Sequence, residues 1–269
     1  DTPLTLFRGQ SGKVSALPRH CPHMGGNLAR GRVIGDRLQC PLHHWEFSGD
    51  GVCQQLPDVF GPLKACLPSW PVQERLGSIM VFLGQPPGSQ LPPDLQGFSW
   101  QGGSPIWVQA PWYSLLSNPF DVVHVETIHH RRLLEVPQLD QPDDRTMRMR
   151  CLWEVTGNGP SDRMMRWLSG NRIQVEFTCF GGTLLLIHSD LGKVQSGLLV
   201  GLTGQGEGTW VQLVYGSRGG PLAAKLCQWL YLSFLKRDLV VLEGAQFRPY
   251  TGLSCDEPLG RFAKFLESL

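Results

Sequence analysis

Apolar and polar positions alternate in short runs through much of the second half of this chain. In residues 173–179 Ile, Val, Phe and Cys fall on one side while Gln, Glu and Thr fall on the other, the two-residue period of a half-buried strand. Residues 147–155, 183–188, 197–202 and 209–215 predict further strands of the same kind. Two helices follow: a long, mostly apolar one over 221–242 and a final amphipathic one over 259–269. The first 83 residues read differently. Residues 4–6 and 13–17 flank a Gly9-Gln10-Ser11-Gly12 turn, and Gly35-Asp36 and Gly49-Asp50-Gly51 punctuate other short strands, the turn chemistry of a small β domain. Residues 85–103 are rich in Pro and Gly. The expected organisation is a small all-β domain over 1–84, a linker over 85–104, and a second domain over 105–269. The fold class is α+β, with an antiparallel sheet around a long C-terminal helix in the second domain. No strand precedes the first hairpin, so the chain reads as beginning inside a domain; a removed targeting segment stays open.

Cysteine and histidine placement adds chemistry to this picture. Cys21-Pro22-His23 and Cys40-Pro41-Leu42-His43 are separated by sixteen residues, and each supplies one thiol and one imidazole from a loop. A Rieske [2Fe–2S] cluster takes this set, two thiolates on one iron and two imidazoles on the other. Zinc accepts Cys₂His₂ too, but its usual signature groups the two Cys and then places both His on a helix. The loop formers Gly25, Gly26, Pro41 and Gly49 around these residues favour the cluster.

A second group lies in Asn118-Pro119-Phe120-Asp121-Val122-Val123-His124 and on to His129. Asn118 and Pro119 suit a helix start, and Asp121 sits where a carboxylate meets the N-terminal dipole. Two His with a carboxylate from elsewhere form the facial triad of non-haem Fe(II) sites. On a regular helix His124 and His129 diverge by about 140°. They share one metal only if the helix is widened or ends near His129.

Together the motifs resemble the Rieske non-haem iron oxygenases, the catalytic subunits of ring-hydroxylating and related systems. The family pattern of Asp, two residues, His, four residues, His falls on Asp121, His124 and His129. The resemblance implies that Asp121 bridges a Rieske His to the mononuclear iron and that His124 and His129 ligate that iron. It also implies a helix-grip catalytic domain, a head-to-tail homotrimer, electrons from a ferredoxin or flavin-dependent reductase, and O₂ as co-substrate. Candidates for the third ligand are Asp162, Glu176, Asp190, Asp238 and Glu243. Asp238 is favoured: it sits on an apolar helical face, where an ionised carboxylate needs a compensating cation, and the family places its last ligand on a late helix. Glu243 is the runner-up, and Glu176 alternates toward solvent. The short region around Lys236-Arg237-Asp238 and 258–269 is similar to the steroid-oxidising branch, 3-ketosteroid 9α-hydroxylase and cholesterol 7-desaturase. Monooxygenation, demethylation or desaturation of an apolar, steroid-like or aromatic substrate is therefore expected ahead of cis-dihydroxylation. The alternative is a Rieske electron carrier without turnover.

Composition narrows the classes further. The net charge is +1 with acids and bases interleaved, which points away from nucleic acid and membrane surfaces. No apolar run approaches the roughly 20 residues that span a bilayer, and a soluble cytoplasmic protein is expected. Cys53, Cys66, Cys151, Cys179, Cys227 and Cys255 are scattered without a disulfide framework. Neither ligand loop has the extra Cys of the membrane-complex Rieske proteins. Trp112, Tyr113, Phe120, Trp153, Phe177, Phe180, Tyr231 and Phe234 are candidates to line a substrate pocket. Arg30, Arg32 and Arg37 are candidates to dock an acidic electron donor. One departure from the family is His44, where Gly is usual. The other is a short catalytic domain with little room for capping insertions.

Overall fold

The computed structural model describes residues 2–55, 66–83, 92–242 and 253–269. It divides into two units, Asp1–Gly88 and Ser89–Leu269.

In the first unit β1 (Leu4–Arg8) and β2 (Val14–Pro18) form an antiparallel hairpin. Strands β3 (Arg32–Ile34), β4 (Arg37–Gln39), β5 (Glu46–Ser48) and β6 (Cys53–Gln55) form an antiparallel sheet in sequence order. Strands β7 (Val72–Arg75) and β8 (Ser78–Val81) add a second hairpin. Phe7, Leu17, Leu28, Leu38, Trp45 and Phe47 share one core with Cys21 and Cys40. Both candidate ligand thiols are thus anchored in the best-packed part of the unit.

The second unit is built on a nine-stranded antiparallel sheet. Its path runs from β10 (Ile106–Val108) through β17 (Gly208–Arg218), β16 (Gln195–Gln205), β15 (Leu184–Asp190), β14 (Arg172–Phe180) and β13 (Thr146–Val155) to β11 (Arg131–Leu133). Strand β12 (Gln138–Asp143) also pairs with β13, and β9 (Ser99–Gly102) with β17. Before the sheet's long strands come α1 (Trp112–Ser117), a 3₁₀ turn at Asn118–Phe120 and α2 (Val122–Thr127). Helix α3 (Pro160–Ser169) packs on β13 and β14, and the 23-residue α4 (Gly220–Leu242) packs on β16 and β17. Helix α5 (Glu257–Glu267) closes the unit against α1, with Phe262 stacked on Phe120 at 3.9 Å.

The five strands and two helices expected from periodicity are present, with ends within three residues of those expected. Two expectations need correction. Residues 99–102, read as linker, are a strand of the second sheet. Trp100 holds it there, because Gly197 and Gly216 leave the space its ring fills; a Cβ on either would lie 2.7 or 2.6 Å from the indole. Helix α3 was not anticipated, since its run Pro-Ser-Asp-Arg-Met-Met-Arg-Trp-Leu-Ser is short and interrupts its apolar stripe with charge. None of the described helices is long and apolar enough to cross a membrane.

Candidate metal centres and the adjoining cavity

The two loops of the first unit fold into the same turn. The Cys21 amide donates to the Gly26 carbonyl and the Gly25 amide to the Cys21 carbonyl, at 2.9 and 3.0 Å. In the second loop the Cys40 amide donates to the Trp45 carbonyl at 2.7 Å, and the His44 amide to the Cys40 carbonyl at 3.1 Å. The fourth residue after each Cys is left-handed, Gly25 at φ +72° and His44 at φ +60°. A glycine adopts this conformation freely, whereas an L-residue there costs on the order of 1 kcal/mol. The position of His44 therefore explains why glycine suits it, and its exposed side chain leads away from the core. The His23 and His43 rings lie 4.6 Å apart, and Trp45 stacks flat on His23 at 4.5 Å. Burial pushes the Cys21 thiol up to about 11, helped by the neighbouring Cys40. Two thiolates side by side in this core require a cation between them.

In the second unit, the Asp121 carboxylate caps α2 by accepting from the His124 amide at 2.9 Å. The helix stops at Thr127, with Ile128 as its C-cap. His129 therefore lies beyond the last turn, which removes the angular mismatch of a five-residue spacing. His130 then takes φ +53°, and the chain reverses into β11. The outcome is convergence: His124 Nε2 and His129 Nε2 are 3.2 Å apart, and Asp238 Oδ1 on α4 lies 2.9 Å from each. These are the residues among those described whose ligand atoms gather as a possible metal site. Burial pulls His129 below the usual imidazole range, against the opposing pull of Asp238. Burial pushes the Asp238 carboxyl up, but hydrogen bonds from His124 and His129 outweigh it and the net direction is down.

The other candidate carboxylates are engaged elsewhere. Asp162 is an ion-pair partner of Arg131 and Arg237, Glu176 pairs with Arg150 across strands, and Asp190 accepts from the Gly192 amide. Glu243 lies outside the described residues. Among the basic candidates of the first unit, Arg37 is paired with Glu46 at 2.9 Å, while Arg30 and Arg32 are exposed.

The triad borders a cavity of ≈ 180 Å³ between α4 and the sheet. Val175, Phe177, Leu198, Leu213, Phe234 and Leu235 give it an apolar wall. Of the eight candidate aromatics, Trp153, Phe177, Tyr231 and Phe234 line it; Trp112, Tyr113, Phe120 and Phe180 do not. Phe120 instead fills the core against Phe262. Tyr215 was missed because its strand period gave no sign of which sheet face the cavity occupies. One polar patch interrupts the wall, where the Tyr231 and Ser196 hydroxyls meet at 3.0 Å near Ser189 and Cys227. Burial pushes the Tyr231 phenol up to about 12, which keeps it protonated.

Residues 1–71 match the family described as the Rieske [2Fe–2S] domain. The matched stretch contains both paired loops. Residues 1–71 are a Rieske domain. The chain is 33% identical over 144 residues to a probable 3-ketosteroid-9-alpha-monooxygenase oxygenase component from Rhodococcus rhodochrous, covering 48% of this chain and 35% of that protein. It is 32% identical over 138 residues to the cholesterol 7-desaturase of Bombyx mori, covering 49% and 30%. The matches thus span about a third of those relatives' lengths. A crystal structure of dicamba monooxygenase with non-haem iron and dicamba superposes with TM-score 0.74 at 24% identity, covering 99% of this chain and 89% of that one. The chain therefore shares the fold of that monooxygenase.

The Rieske domain of this chain fits its cluster. Gly26 leaves a space beside the ligand thiol: a Cβ there would lie 2.7 Å from Cys40 Sγ. Two buried thiols and two imidazoles a ring's width apart supply the required N and S donors. The triad of the second unit, two imidazoles and a carboxylate, fits a divalent iron with positions left open.

Proposed function

We propose that this chain is the terminal oxygenase component of a Rieske non-haem iron system. The reading is carried by the meeting of His124, His129 and Asp238 at an apolar cavity, in a chain whose first unit is a Rieske domain. Cys21, His23, Cys40 and His43 hold the cluster, and His124, His129 and Asp238 hold a mononuclear iron. The iron with open positions supplies O₂ activation and the cluster supplies electrons singly, drawn from a ferredoxin or flavin-dependent reductase.

The protein's own part is binding and orientation. The cavity wall takes up an apolar molecule, excludes water from the triad and holds a C–H bond toward it. Its volume, close to that of a cavity that admits benzene, suits a ring-sized portion of substrate. The Tyr231–Ser196 pair offers it one neutral hydrogen-bonding site. Asp121 caps α2 with one carboxylate oxygen and so fixes the backbone that presents His124. In the family's homotrimer, Asp121 is the link between the triad and the Rieske His of a neighbouring subunit. The names of the relatives, a steroid monooxygenase and a sterol desaturase, favour monooxygenation or desaturation over cis-dihydroxylation.

The test is iron and acid-labile sulfide per chain on anaerobically purified protein, beside Asp238→Ala. The expected result is about three irons and two sulfides, falling to about two irons in the variant. About two irons in the wild type, even after Fe(II) is supplied, leaves an electron carrier and ends the oxygenase reading.

A further inference from the structure

Behind the triad lies a charged group that the proposed chemistry does not use. Asp162, on α3, is 1% exposed. Its Oδ1 accepts from Arg131 Nη1 at 2.9 Å, and its Oδ2 from Arg237 Nη2 and from the Gly159 amide, both at 3.1 Å. Gly157 leaves room for the carboxylate, since a Cβ there would overlap Asp162 Oδ2. Both arginines reach onward to the same atom. The His129 carbonyl accepts from Arg131 Nη1 at 2.8 Å and from Arg237 Nη1 at 3.2 Å. Arg131 Nη1 also donates to the His130 carbonyl at 3.0 Å, at the left-handed residue where the chain turns. The His129 ring is fixed as well: Phe234 stacks on it at 4.6 Å, with the Arg131 guanidinium 4.9 Å from the Phe234 centroid.

We propose that Asp162 is a positioning residue for the mononuclear metal site, holding His129 in register with Asp238 through Arg131 and Arg237. This rests on the reading of His124, His129 and Asp238 as metal ligands. Arg237 precedes Asp238 on α4, and Arg131 follows His129 by two residues, so one carboxylate ties together the two segments that each deliver a ligand. Neither segment is joined to the other in sequence, being more than a hundred residues apart. Without the carboxylate, two guanidinium groups are left facing each other in a site where Arg131 is 3% exposed. They separate, and their hold on the His129 carbonyl goes with them. Outer partners of this kind set metal affinity as well as ligand orientation.

The experiment is cobalt(II) titration of the full chain with its Rieske cluster in place, followed by visible d–d absorption, for wild type, Asp162→Ala, Asp162→Asn and Leu168→Ala. Leu168 is 4% exposed on the same helix and makes no hydrogen bond to the Asp162 carboxylate or its arginines, so it reports general loosening of α3. The expected result is a loss of cobalt affinity of roughly 10–100-fold in Asp162→Ala with altered band intensities. Asp162→Asn, which keeps one acceptor, falls between, and Leu168→Ala keeps wild-type bands and affinity. Should Asp162→Ala fail to fold, Asp162→Asn and Arg237→Gln carry the comparison. Wild-type binding in the Asp162 variants overturns the proposal, and so does an equal loss in Leu168→Ala. Wild-type protein whose cobalt uptake is absent, or indifferent to Asp238→Ala, removes the metal reading itself and the inference with it.

Discussion

Replacing Gly26 with alanine adds one methyl group at the wall of the Rieske site. Its Cβ would lie 2.7 Å from Cys40 Sγ and 3.2 Å from the Leu42 Cβ. An ordinary carbon contact lies at about 3.5–4.0 Å, so the overlap with the sulfur is close to 1 Å. Cys40 is 1% exposed and cannot swing away without disturbing Leu38 and Phe47 around it. Overpacking of this kind costs roughly 1–3 kcal/mol, and here the displaced atom is a proposed cluster ligand. Gly25→Ala is the control. Gly25 has φ +72° and no atom within 4 Å of an added Cβ, so its cost is backbone strain of about 1–2 kcal/mol with no steric term. His44 occupies the matching position of the other loop, which demonstrates that the turn accepts a side chain there. The two variants should lose similar stability and differ in cofactor. Visible absorption with iron and sulfide analysis should find less than half the wild-type cluster in Gly26→Ala and the full amount in Gly25→Ala. A full cluster with an unchanged spectrum in Gly26→Ala would refute the steric argument.

Three further outcomes follow from the second unit. Phe120 and Phe262 are both fully buried and stacked, so Phe262→Ala should cost about 3–5 kcal/mol, read by chemical denaturation. Burial alone would raise the Asp162 carboxyl, but hydrogen bonds from Arg131 and Arg237 overcome it and hold it below the usual carboxylate range. A depressed folded-state pKa gives stability that is present above the unfolded value, near 3.9, and is lost as pH falls toward the folded one. Melting temperatures between about pH 5 and 3 should therefore fall more steeply for wild type than for Asp162→Asn; parallel curves would contradict this. Val175→Phe fills part of the cavity without replacing a candidate ligand, so on the proposed function KM for an apolar substrate should rise while iron content stays at the wild-type level.

The candidate sites were unevenly legible in the sequence. The Rieske loops declare themselves because all four candidate ligands sit within short, turn-forming segments. His124 and His129 were legible only with a condition attached, that the helix stop before the second one, and the cap at Ile128 meets it. Asp238 stood out because a carboxylate on an apolar helical face demands a partner. Asp162 stood among the candidates only as a carboxylate downstream of His130, because no helix was expected around it. The arginines that claim Asp162 come from 31 residues upstream and 75 downstream, and no periodicity relates them. Trp100 was hidden for a similar reason. Its seat is made by glycines on β16 and β17, so a strand was written as linker.

On the proposed function, the long α4 bears on where a bound molecule is attacked. Tyr231 and Asp238 are seven residues apart on this helix, two turns, and so share a face about 10.5 Å apart along the axis. The helix works as a ruler with a hydroxyl mark at one end and the triad at the other. A molecule that anchors an oxygen on Tyr231 offers to the triad whichever carbon its own rigid skeleton carries to that reach. Regiochemistry then follows from ligand length, and moving the hydroxyl four residues along the helix, with Tyr231→Phe and Cys227→Ser together, should move the site of attack by about 6 Å along the skeleton.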